Sequence, residues 1–163
     1  MTDRSGRPHH RYYLSDTKPI SLNNAMIPVS GRRWVRTKES SEYKGDFMRQ
    51  ARAQDPIPDY TYYETSYIYL MPHAEMFFKN GKLRRRDVSN YIKLLEDGLM
   101  AVFQQDDSQV FTLHGTKRIS PDGRFHCIVI VTEASIDDPV YHGQNPVIYE
   151  ISGGKIETTL VPV

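Results

Sequence analysis

The chain has 163 residues, enough for one domain with a proper core and too few to expect two. With 39% hydrophobic and 25% charged residues it has the composition of a globular protein, which argues against wholesale disorder. A formal net charge of +1 excludes a chain that binds polyanions through its total charge, so any nucleic-acid footprint has to come from local clustering.

Clustering is present. Lys79, Lys82, Arg84, Arg85, Arg86 and Lys93 fall close together, and Lys117 and Arg118 follow on a later segment. Arg32, Arg33, Arg36 and Lys38 stand nearer the N-terminus. The single cysteine, Cys127, sits in the apolar run Cys127-Ile128-Val129-Ile130-Val131 and is expected to be a buried strand thiol. One cysteine makes neither an internal disulfide nor a cysteine-based zinc site. No stretch is apolar for long enough to span a membrane, and residues 1–10 hold no hydrophobic core for a secretory signal. A cytoplasmic protein is the expectation.

In chain order, residues 1–11 read as a flexible polar segment in which His9 and His10 are solvated. Tyr12-Tyr13-Leu14 opens a first strand that ends near Lys18-Pro19. Residues 21–31 are rich in turn formers and read as a loop. Tyr43, Phe47, Met48 and Ala51 recur at helical spacing and predict a helix over 39–53, which Asp55-Pro56-Ile57-Pro58 stops. Residues 60–71, dense in tyrosine, threonine and isoleucine, predict a strand. Its tyrosines are expected to pack against a helix rather than to stack on bases.

Ile92, Leu95, Leu99 and Val102 give the clearest helix, over 88–103, with Asp87 or Ser89 suited to cap its start. Residues 110–119 and 125–132 are expected as the two strands of a hairpin closed by Ser120-Pro121-Asp122-Gly123. After Asp137-Asp138-Pro139 the pattern weakens, and 147–151 reads as an edge strand. His73, His114, His126 and His142 are scattered and read as structural or surface residues.

The stretch that bears chemistry is 84–110, RRRDVSNYIKLLEDGLMAVFQQDDSQV. Carboxylates at Asp87, Asp106 and Asp107 suit a hard divalent cation, which favours oxygen ligands and keeps several waters. Such a cation can acidify a water for attack on phosphorus and stabilise the leaving oxyanion. The guanidinium forks of Arg84, Arg85 and Arg86 match phosphate oxygens, and Lys93 is placed to offset negative charge in a transition state. The helix spans about 24 Å, so spacing alone does not bring Asp106 and Asp107 back to Asp87. On the residues alone, a helix cap at Asp87, a turn at Asp106-Asp107 and a solvated basic face explain the pattern equally well.

The ordered set nevertheless resembles the RusA family of Holliday-junction resolvases, small Mg²⁺-dependent endonucleases. The family pattern of a basic run, Asp-x-Asp-Asn, a lysine on the helix and Asp-Asp before Gln-Val is matched by Arg84-Arg85-Arg86, Asp87-Val88-Ser89-Asn90, Lys93 and Asp106-Asp107-Ser108-Gln109-Val110. An early Ser-x-Asn loop is matched by Ser21-Leu22-Asn23-Asn24 and the helical segment after it by Ser41-Glu42-Tyr43-Lys44. The likeness covers roughly 12–133. It implies an endodeoxyribonuclease that cuts branched DNA as a homodimer, with Mg²⁺ as cofactor. Asp87, Lys93 and Asp107 would be catalytic, and Asp87, Asp107 and a supporting Asp106 would face the metal. Lys82, Arg84, Arg85, Arg86, Lys117 and Arg118 would contact DNA.

The expected fold is α+β: a small two-layer α/β sandwich whose mixed sheet carries one main helix. Residues 12–133 would form the nuclease domain and 134–163 a C-terminal extension or edge strand.

One departure bears on function. Ser89 stands where the second aspartate of Asp-x-Asp is expected, and a neutral hydroxyl ligates Mg²⁺ poorly. Asp97 is about 15 Å along the helix from Asp87, a poor direct substitute, and Asp106 is the better one. Two further readings therefore stand beside the resolvase. One is a junction-DNA-binding protein whose catalysis is weakened or lost through Ser89. The other is an accessory protein in which these acids only cap and turn.

Overall fold

Tyr63, Thr65, Tyr67, Tyr69 and Met71 are buried while the residues between them are half-exposed, so Tyr63–Met71 is a strand with one face fully covered. The computed structural model of the chain describes residues 9–15, 18–29, 33–56, 59–84, 87–135, 140–142, 145–152 and 155–160. Along it run β1 (His9–Ser15), α1 (Leu22–Ala25), β2 (Met26–Val29), β3 (Arg33–Arg36), α2 (Lys38–Arg52) and β4 (Tyr63–Met71). Then come α3 (His73–Met76), α4 (Ser89–Phe103), β5 (Val110–Ile119) and β6 (His126–Glu133). The main sheet has the order β1-β6-β4-β5, with β4 and β5 parallel and the other pairs antiparallel. The fold is α+β with a mixed sheet, as expected.

Two helices of 15 residues, rather than one, cover the sheet. α2 starts where the Thr37 hydroxyl accepts from Ser40 N, and it buries Tyr43, Phe47 and Ala51 at four-residue steps. α4 buries Ile92, Leu95 and Leu99 and stops where Gln104 turns left-handed (φ 59°). Two glycines set how close the layers come. A Cβ at Gly98 would sit 3.1 Å from Phe47 Cδ1, so α4 and α2 approach through it. A Cβ at Gly115 on β5 would sit 2.5 Å from Ile92 Cδ1, so the first turn of α4 rests on the middle of that strand.

The tyrosines of β4 pack as expected: Tyr63, Tyr67 and Tyr69 belong to the core with Phe47, Leu95, Leu99, Val129 and Val131. Truncating a fully buried aromatic such as Phe47 to alanine costs about 3–5 kcal/mol, a large share of a domain's stability. Cys127 is buried on β6, as expected of a strand thiol, and burial pushes its pKa up.

Three local expectations are corrected. β5 and β6 do not form a hairpin, because β4 lies between them and pairs with both. The turn residues serve the connection instead: Ser120 N donates to Met71 O at 2.7 Å, and Asp122 accepts from the Ser120 hydroxyl and Arg124 N. Residues 21–31 are not simply a loop, since they hold α1 and β2, and β2 pairs with β3. The expected strand at 147–151 forms within β8 (Asn145–Ser152), and it pairs with β7 (Val140–His142) and β9 (Lys155–Leu160) in a separate antiparallel sheet.

Candidate active site

The start of α4 is capped by neither Asp87 nor Ser89. Val88 is the N-cap residue, it is already helical (φ −62°, ψ −36°), and no side chain bonds to the first-turn N–H groups. Asp87 accepts from Asn90 N only through its backbone oxygen, at 3.2 Å. Its carboxylate is exposed and has no hydrogen-bond or ion-pair partner among the described residues. The carboxylate stands near the start of α4, where Asn90 N and Tyr91 N bond to the backbone oxygens of Asp87 and Val88 and no side chain caps the helix.

Asp87 lines a cavity of about 750 Å³ together with Asn90, Tyr91 and the segment from Lys18 to Asn24. A cavity of this size is in the range of ligand sites. Its walls offer the amides of Asn23, Asn24 and Asn90, and Glu39 also borders it. Ser89 is exposed and is not among the lining residues. The Ser21 hydroxyl accepts from Asn23 N and so shapes the asparagine-bearing turn.

A second set of charges lies further along α4. Lys93 Nζ donates to Asp107 Oδ2 and pairs with Asp97 Oδ1 at 3.0 Å. These hydrogen bonds, Asp107 first and Asp97 second, raise the pKa of Lys93 above the ordinary lysine value, so the group is a fixed ammonium. Glu96 is buried beside the pair, and desolvation raises its pKa, with Asp107 and Asp97 adding to the rise against the attraction of Lys93. One ammonium between two carboxylates leaves a local surplus of negative charge.

Asp106 shapes the segment that carries Asp107. It is the N-cap of a short 3₁₀ turn, Asp107–Gln109, and its Oδ1 accepts from Ser108 N at 2.8 Å. The Gln109 side chain accepts from Asp106 N at 3.1 Å, completing a capping box. Ser108 holds the Asp106 pKa below its ordinary value. Asp106 thus builds the turn that aims Asp107 at Lys93. Among the described residues no group of three or more His, Cys, Asp or Glu side chains is gathered closely enough to hold a metal.

The expected DNA contacts also separate. Arg84 is half-buried, donates from Nε to Phe77 O at 3.2 Å, and stacks its guanidinium over Phe78 at 4.5 Å from the ring centre. Part of its fork therefore holds the chain after α3. Lys82 is exposed in the preceding turn. Arg85 and Arg86 lie outside the described residues. Lys117 and Arg118 stand at the end of β5 away from Asp107, in register with Tyr69 and Leu70 of β4. That is the end from which the chain leaves β4 for α3 and the basic run, so Lys82, Lys117 and Arg118 belong to one end of the sheet.

Two acids at the site escaped sequence reasoning. Glu96 had a legible signal, a charge four residues after Ile92 and three before Leu99, on the apolar face of the helix. Asp97 is too far along the helix to stand in beside Asp87, yet it is four residues from Lys93 and shares that side chain with Asp107.

A mixed α+β sheet with acids and a fixed ammonium along one helix is an arrangement suited to phosphodiester hydrolysis. The family model for endodeoxyribonuclease RusA matches residues 16–129, most of the chain. No curated protein matches it. The chain belongs to the RusA family of endodeoxyribonucleases and is an enzyme of the Holliday-junction resolvase type.

Proposed function

We propose that the protein is a Mg²⁺-dependent homodimer that cuts four-way and related branched DNA, with Asp87 and Asp107 facing the metal and Lys93 as the catalytic cation. The observation that supports this most is the Asp87 carboxylate at the cavity, without a partner among the described residues and six residues before Lys93, which holds Asp107. Hard carboxylate and amide oxygens fit a cation that prefers oxygen ligands and retains water. When bound, Mg²⁺ would supply an acidified water and offset charge on the leaving oxygen. No helix among the described residues is long and apolar enough to cross a membrane, and the enzyme is taken to act in the cytoplasm of a bacterial or phage-infected cell.

The chain's own groups have distinct tasks in this account. Lys93, its pKa raised by Asp107 and then Asp97, is assigned as a cation rather than as a general base. It stabilises negative charge on the phosphoryl oxygens and holds Asp107 in place. The amides of Asn23, Asn24 and Asn90 orient the sugar-phosphate strand in the cavity. Lys82, Arg84, Arg85, Arg86, Lys117 and Arg118 contact the flanking backbone. A homodimer gives each strand of a two-fold symmetric junction its own site.

Ser89 favours a second reading, a junction-binding protein with weakened catalysis, since the first turn of α4 holds no acid. A synthetic four-way junction and a matched duplex, each with Mg²⁺ or EDTA, separate the two. Paired nicks in the junction alone, and only with metal, support the nuclease. Tight junction binding with no cutting under any metal supports the binding protein.

A further inference from the structure

The β2–β3 hairpin carries Trp34, the chain's single tryptophan, at 63% exposure. Ile27, Val29 and Val35 on the same hairpin are also exposed. An indole left in water forgoes the free energy its burial would bring, and a group of exposed apolar side chains of this kind marks a contact surface.

Charge indicates the partner. Residues 18–38 contain Lys18, Arg32, Arg33, Arg36 and Lys38 and no aspartate or glutamate, within a chain whose total is only +1. Lys38 at the start of α2 is paired with Glu42 at 3.6 Å, whereas Arg36 lies close enough to Lys44 to add to the lowering of its pKa by burial. Such a ribbon fits a polyanion with aromatic faces.

Position ties the ribbon to the cavity. Thr37 N donates to Ala25 O at 2.9 Å, the Thr37 hydroxyl to Asn24 O at 3.3 Å, and the Ser40 hydroxyl to Ala25 O at 2.9 Å. These bonds fasten the base of the hairpin to the Asn23-Asn24 wall beside Asp87. From there its four-residue strands reach about 13 Å.

We propose that the hairpin is a DNA-contacting arm in which Trp34 stacks on a nucleobase left unpaired or unstacked at a branch point, while the exposed Arg36 meets an adjacent phosphate. The proposal rests on the reading of this chain as a nuclease of branched DNA. An intact duplex hides the faces of its bases and a branch exposes them, so stacking adds selectivity for structure without selecting a sequence.

Because Trp34 is the only tryptophan, its fluorescence reports on this ribbon alone. Wild-type protein is titrated in EDTA with a four-way junction and with a matched duplex, while anisotropy of labelled DNA records binding independently. The junction is expected to quench the emission and shield the indole from acrylamide, and the duplex to do so less. Trp34→Ala is expected to weaken junction affinity roughly ten-fold or more, and Trp34→Phe to keep most of it. Junction binding with unchanged emission and acrylamide access would overturn the proposal and leave the nuclease reading intact. Acrylamide shielding that grows with protein concentration in the absence of DNA would assign the ribbon to a second copy instead. Absence of junction binding by anisotropy would overturn both readings.

Discussion

Lys93 donates a hydrogen bond to Asp107, 14 residues away in sequence, and pairs at 3.0 Å with Asp97 one turn further along the same helix. The contact joins α4 to the turn before β5, so the helix and the second acidic segment are tied together at this point. Asp106 makes this possible by capping the turn that carries Asp107.

Lys93→Met removes the ammonium while keeping much of the side chain's bulk. Single-turnover cleavage of a four-way junction is expected to fall by roughly 10²–10³-fold, the usual effect of deleting one transition-state donor. Junction affinity should change little, since one cation among many phosphate contacts is lost. A cleavage rate within two- or three-fold of wild type would remove Lys93 from the chemistry.

The raised pKa of Lys93 sets a pH dependence. A lysine whose folded pKa lies above its unfolded value of about 10.4 keeps its charge, and its stabilising pairs, at all lower pH and loses them only as pH rises through the folded value. Cleavage should therefore show no falling limb from Lys93 below about pH 10. Asp97→Asn removes one of the two partners and should bring that limb to lower pH. An identical profile in the variant would mean that Asp97 does not tune Lys93.

Ser89→Asp introduces the acid that the family pattern leads one to expect. Ser89 is exposed, and α4 has no acidic residue in its first turn, so the new charge meets the positive end of the helix dipole. A stabilisation of about 0.3–1 kcal/mol is expected from that interaction, read as a higher midpoint in urea. Mg²⁺ affinity, followed by calorimetry without DNA, should tighten, and cleavage should rise. A clear loss of cleavage would show a site built around the serine.

Asp122 is held by the Ser120 hydroxyl, by Arg124 and by His126 Nε2 at 2.8 Å. The Ser120 hydroxyl first, then Arg124 N, depress its pKa below the ordinary aspartate value. A depressed acid contributes stability above its unfolded pKa of about 3.9 and loses it as pH falls toward the folded value. Asp122→Asn should thus lower the thermal midpoint at neutral pH, and the gap to wild type should close in strong acid. A gap that persists unchanged at low pH would contradict the assignment.

Much of the framework was legible because it depends on local periodicity. Ile92, Leu95 and Leu99 marked α4, Tyr43, Phe47 and Ala51 marked α2, and the run at 60–71 marked β4. The errors came where a distant segment decides. Pro121-Asp122-Gly123 carries the turn chemistry of a hairpin, yet β4 takes the place between β5 and β6 through pairings with residues far away in sequence. Asp87 and Ser89 have the side chains of N-caps, but Val88 takes that position in the folded chain.

The same division holds for the site. Spacing alone did not bring Asp107 back to Asp87. The resemblance singled out Asp87, Lys93 and Asp107 without a contact between them, and the Lys93–Asp107 pair is seen only in the folded chain. Glu96 was readable from its place on the apolar face, whereas the hairpin bearing Trp34 was not, because its strands are only four residues long and follow turn-forming residues.

The central claim is that Asp87 and Asp107 act together in cutting junction DNA. Its most direct test compares wild type, Asp87→Asn and Asp107→Asn on one labelled four-way junction, measuring Mg²⁺-dependent cleavage and, in EDTA, binding. Both variants are predicted to lose cleavage while retaining wild-type affinity for the junction. Normal cleavage by either variant would contradict the account.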